Sequence, residues 1–66
     1  MTVAKVSEIT ATSTKGFEDA IAKGIKRANQ TLKNVTGAWI ADQEVVVEEG
    51  KITSYKIRMK VTFVLI

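Results

Sequence analysis

The hydrophobic and polar positions of this chain fall into four blocks of different period. Residues Val3 to Ala11 alternate imperfectly, with Val3, Val6 and Ile9 set among polar positions, and predict a strand. From Phe17 the rhythm changes. Phe17, Ala20, Ile21, Gly24, Ile25, Ala28, Leu32 and Val35 follow one another at steps of three, one and four, which places them on one helical stripe. Glu18 and Asp19 near its start, with Lys23, Lys26, Arg27 and Lys33 later, suit the helix dipole. Ser13 or Thr14 is the expected N-cap, although neither has Glu or Gln three residues on. Gly24 within the stripe costs about 1 kcal/mol against Ala and predicts a close approach to a neighbouring backbone.

Asn34 to Gly37 is expected to stop the helix, and a second strand to run from about Ala38 to Glu48. Glu48-Glu49-Gly50-Lys51 reads as a tight hairpin turn in which Gly50 supplies positive φ. The third strand, Ile52 to Leu65, alternates cleanly. Tyr55, Ile57, Met59, Val61, Phe63 and Leu65 share one face, with Lys56, Arg58, Lys60 and Thr62 on the other. The order β-α-β-β predicts an α+β fold: a three-stranded antiparallel sheet, last strand central, curved around one helix. Fourteen residues of extended chain reach about 46 Å, whereas a compact chain of this length has a radius of gyration near 11 Å. The third strand must therefore bend or reach into another subunit.

Composition sharpens that expectation. Sixty-six residues, 45% hydrophobic and 26% charged, make one globular domain spanning residues 1–66. So short a chain buries only about 60% of the surface its unfolded form exposes. With no Cys and no His, disulfides and the common zinc sites cannot close the deficit, which leaves self-assembly. The same absences exclude a Ser-His-Asp triad, a Cys-His pair and an imidazole base, so no catalytic residue is expected. There is no glycine-rich phosphate loop, no apolar run of signal-peptide length and no membrane span; the reading places the protein in the cytoplasm.

The stretches Thr12-Ser-Thr-Lys-Gly-Phe17-Glu-Asp-Ala-Ile21, Ala28-Asn-Gln-Thr-Leu32-Lys-Asn-Val35 and Tyr55-Lys-Ile-Arg-Met-Lys60-Val-Thr-Phe63 together resemble the dodecins, over essentially the whole chain. The resemblance implies a curved sheet wrapped partly round its helix, with twelve copies forming a hollow shell. It implies flavins (riboflavin, FMN or FAD) bound in pairs near two-fold axes between subunits, stored, buffered or photoprotected without turnover. Flavin-binding dodecins carry a Trp at the start of the second strand that stacks on the isoalloxazine ring. They also carry a Gln just after the aromatic residue of the third strand, which bonds the ring edge. Those positions are Gly37 and Lys56 here.

Trp39 remains, two residues beyond Gly37 and on the same face of an extended strand, about 6.6 Å along it. It offers a shifted stacking platform, with Gly37 leaving space for a ligand or a symmetry-related Trp39. Gln43, four residues on, offers an amide to a ring edge, and Lys56 and Arg58 offer cations to a carbonyl or a phosphate. The plainer alternatives are that Trp39 fills a subunit interface and that Lys56, Arg58 and Lys60 form a solvated strand face. Asp42, Glu44 and Glu48 share a face in a regular strand, and clustered carboxylates suit calcium, but no loop resembles an EF-hand and no metal site is expected. Two further readings stand beside flavin binding. One is a dodecin-like shell that has lost the flavin, holding another phosphate-bearing ligand or none. The other is a nucleic-acid-binding module, prompted by a net charge of +3 and the basic stripe. No aromatics interleave that stripe, so nucleic acid is not the expected partner. The expected partners are copies of the chain and a small ligand.

Overall fold

The computed structural model describes residues 2–65. Strand β1 (Val3–Ser13) leads into helix α1 (Phe17–Thr31), followed by β2 (Val35–Glu48) and β3 (Lys51–Leu65). The strands form one antiparallel sheet in the order β1-β3-β2, so the strand with the cleanest alternation is the central one.

Local chemistry sets the boundaries, and several differ from the sequence reading. β1 runs two residues past Ala11. The helix N-cap is Gly16, with extended backbone and no side-chain cap, instead of Ser13 or Thr14. Ser13 is drawn into the junction itself: its buried hydroxyl donates to Asp19 Oδ2 at 2.5 Å and accepts the Lys15 N–H at 2.9 Å. Asp19 also receives Lys23 Nζ at 3.1 Å, one turn along the helix. The helix stops at Thr31, earlier than its apolar stripe, because Leu32 is extended and Asn34 takes a left-handed φ of 62°. β2 therefore starts at Val35. Leu32 and Val35 lie outside the helix yet still pack on the core. The hairpin turn places both Glu49 (φ 53°) and Gly50 (φ 78°) in the left-handed region, the two-residue geometry that matches strand twist.

The interior is one row on β3. Ile57, Met59 and Val61 are fully buried beneath Ala20 and Ala28 of the helix, flanked by Ile9, Ala11, Phe17, Ile21 and Ile25. Gly24 permits the close approach, although the neighbours are side chains where backbone was expected. A Cβ there would meet Met59 Cε at 2.8 Å and Ala11 Cβ at 3.1 Å. Phe17 seals one end edge-on against Tyr55, ring centroids 5.2 Å apart.

Outside that row the chain is open. It extends 51 × 19 × 14 Å with a radius of gyration of 13.5 Å. Its accessible surface, 4977 Å², exceeds the roughly 4,100 Å² of a compact monomer of this mass. Leu65 is half exposed at the end of β3, as is its partner Val3.

Truncating the centre of the row tests this account. Met59→Ala should cost about 2–5 kcal/mol in urea unfolding, because a buried thioether leaves a cavity under Gly24; a cost below about 1 kcal/mol contradicts it. The junction gives a pH signature. The Ser13 hydroxyl, then Lys23, holds the Asp19 carboxyl below its ordinary pKa. Its stabilisation is therefore present above the ordinary carboxylate range and disappears as pH falls through the lowered value. Asp19→Asn should lower the urea midpoint at neutral pH, with the gap closing in acid; a gap independent of pH contradicts the pairing.

Candidate functional site

The sheet has two chemically distinct faces. Cross-strand partners share a face, so Met59 with Ile9 and Ile40, and Ile57 with Ala11 and Gln43, belong to the helix side. The far side carries Lys56, Arg58, Lys60 and Thr62 of β3. Thr12, Thr10, Glu8 and Val6 of β1 lie across from them, and Glu44, Asp42, Trp39 and Gly37 of β2 complete the surface.

A β-bulge decides which β2 residues reach this outer face. Ile40 pairs with Met59 and Asp42 with Arg58, so Ala41 is an extra residue that inverts the alternation after it. Trp39, Asp42 and Glu44 consequently share the outer face, while Gln43 turns to the side of Ile57. The expectation that Gln43 lies on the Trp39 face is thus corrected, and its amide is not aimed at the indole's surroundings. Gly37, opposite Thr62, does share the Trp39 face.

Trp39 is 70% exposed, the most accessible large hydrophobic residue among those described. Lys60, its register partner, holds Nζ 5.5 Å from the ring centroid, a cation–π contact over one face of the indole. Lys60 also faces Glu8 on β1, yet makes no ion pair with it within 4 Å. At Gly37 a Cβ would meet nothing within 4 Å, so the surface beside the indole is open. One aromatic platform, one cation and unobstructed backbone therefore occupy the same end of the outer face.

The other cations are committed elsewhere. Arg58 pairs with Asp42, which raises its already high pKa, and Lys56 lies 3.9 Å from Glu44. These cross-strand pairs, with Thr10 and the strand at Gln43, line a shallow depression of 480 Å³, so Gln43 borders the Lys56 and Arg58 end of the face although its register partner is Ile57. Among the described residues no three carboxylates come together as a metal site. Asp42 and Glu44 are offset by a basic neighbour each, which sequence spacing alone could not reveal because the pairing depends on the register with β3. Lys60 belongs to the basic stripe of β3, and its pairing with Trp39 follows from the same register.

The dodecin family model matches residues 3–66, and the chain belongs to the dodecin family. It is 36% identical over 64 residues to the calcium dodecin of Mycobacterium tuberculosis, covering 96% of this chain and 89% of that protein. The dodecin from Streptomyces davaonensis superposes with a TM-score of 0.92 at 34% identity, covering 98% of this chain and 96% of that one. The crystal structure of the Mycobacterium tuberculosis calcium dodecin, described as having a novel calcium-binding site, superposes at 0.82 with 32% identity, over 97% of this chain and 91% of that one. The β-α-β-β architecture is thus the dodecin fold. No described helix is long and apolar enough to cross a membrane.

The open indole carries a signature of its own. In ligand-free protein, iodide should quench Trp39 emission more strongly than caesium, because Lys60 concentrates anions beside the ring. Lys60→Glu should reverse the order, and equal quenching by both ions in the parent protein contradicts the contact.

Proposed function

We propose that this chain assembles as a hollow homo-dodecamer and binds flavin at the seams between subunits, storing or buffering it without turnover. Trp39 carries the reading. A large aromatic ring left 70% exposed, next to the open backbone at Gly37, suits a planar ligand stacked against it. Gly37 stands where the usual flavin-stacking Trp would be, so the ring is displaced along β2 and the ligand with it. Lys60 covers one face of the indole, leaving the other for the isoalloxazine. Lys56 stands at the position of the family's ring-edge Gln and presents a donor near the depression it shares with Arg58. FMN, riboflavin and FAD share the ring that this platform would recognise.

A second reading rests on the 36% identity to a calcium dodecin. Here Asp42 and Glu44 are occupied by Arg58 and Lys56, so a cation would have to gather carboxylates from more than one subunit.

Titration of riboflavin and FMN followed by flavin emission separates the two. Stacking on Trp39 should quench the emission saturably. Trp39→Ala should weaken binding roughly ten-fold or more, since about 1.4 kcal/mol of stacking is worth one decade. Unchanged affinity in that variant contradicts the platform. No flavin saturation alongside saturable calcium binding transfers the reading to a cation.

A further inference from the structure

Of the three cations that β3 presents on its outer face, two are matched by carboxylates and one is not. Arg58 is paired with Asp42, and Lys56 lies 3.9 Å from Glu44. Lys60 stands between Trp39 on β2 and Glu8 on β1, and Glu8 lies beyond 4 Å of its ammonium. That ammonium turns to the indole instead, 5.5 Å from the ring centroid, on a half-buried side chain. An ammonium has three N–H donors, which cannot all point into one ring. No side-chain hydrogen bond of Lys60 occurs among the described residues. The indole thus fixes where the charge sits while leaving donors free.

The next row of the face leaves room for an acceptor. Gly37, Thr62 and Val6 succeed one another across the strands. A Cβ at Gly37 would meet nothing within 4 Å, and Val6 is 54% exposed. This row brings no charge of either sign. On the opposite side the Asp42–Arg58 pair is self-compensated, so Glu8 is the one opposing charge that faces Lys60.

We infer that Lys60 selects the ligand by charge: a flavin carrying phosphate on its ribityl chain is taken in preference to riboflavin, whose ring is identical and whose chain is neutral. The inference rests on the flavin reading above and adds a specificity-determining residue to it. With the isoalloxazine on the open face of Trp39, the ribityl chain passes the edge of the indole over Gly37, and the phosphate meets the free Lys60 donors. Such a contact is charge-assisted and stronger than a neutral hydrogen bond. Because the indole already holds the lysine, less side-chain freedom is lost on binding than for a mobile lysine.

Titrating FMN and riboflavin separately against the parent protein and its variants gives the ratio of their affinities, which a general loss of stacking leaves unchanged. In the parent, FMN should bind about ten-fold more tightly at low salt, the worth of one hydrogen bond to a charged group. The preference should fade toward parity as salt shortens the screening length to about 3 Å at about 1 M. Lys60→Met, which keeps an unbranched stem against the indole, should bring the two affinities together. Glu8→Gln removes the opposing carboxylate and should widen the preference for FMN. Lys26→Met deletes the same charge from the exposed surface of α1 and should leave the ratio at the parent value. Equal affinities in the parent overturn the selection. So does an equal loss in Lys26→Met, which would trace the preference to the net charge of +3. Where Lys60→Met fails to fold, Glu8→Gln decides, and a ratio unchanged from the parent overturns the role of Lys60. Saturable binding of both flavins without preference leaves the flavin reading standing and removes this inference alone; saturation by neither removes both.

Discussion

The contact on which this fold depends is the row Ile57, Met59 and Val61 pressed beneath Ala20, Gly24 and Ala28. Small residues at successive helical turns let the helix descend until Met59 touches the position where a Gly24 Cβ would be. Each buried side chain in the row contributes about 1.5–3 kcal/mol. Three such side chains and two alanines make a very small interior for a chain 51 Å in its longest dimension. The helix fixes one patch of that sheet and leaves both ends, and nearly all of β2, in water. The chain alone thus buries only a small interior.

The open outer face follows from that arrangement. Because β3 is central, its alternation puts Lys56, Arg58 and Lys60 in a line with a neighbour on each side. Two of those cations meet carboxylates of β2 and are electrostatically quiet. The third meets an indole instead, which preserves its charge while fixing its position. One end of the face is thus nearly neutral and polar, and the other combines an aromatic plane with an available cation. That asymmetry makes the Trp39 end the chemically distinctive part of the surface.

Much of this architecture is legible in the residues. The stripe from Phe17 to Ala28 marks the helix, and the strict alternation around Met59 marks the central strand. Glu49-Gly50 marks the turn. Other features depend on tertiary contacts that leave little local trace. Ser13 looks like a cap because its hydroxyl suits one, but it is spent on Asp19, and an uncapped Gly16 begins the helix. Leu32 and Val35 keep the helical spacing while lying outside the helix, since burial on the core and helix membership are separate demands. The bulge at Ala41 has no glycine or proline to announce it. One inserted residue reassigns Gln43 to the helix side and brings Asp42 level with Arg58. On β3 the alternation places Lys56, Arg58 and Lys60 on the outer face, whereas on β2 that face was legible only as far as Gly37 and Trp39, which precede the bulge.

The central claim is that sister copies complete the interior of each subunit. The direct measurement is particle mass by sedimentation, with far-ultraviolet circular dichroism of the same samples across a dilution series. The account predicts a folded species of twelve times 7.2 kDa, with loss of secondary structure wherever dilution dissociates it. A folded, cooperative 7.2 kDa subunit persisting in dilute buffer would contradict it.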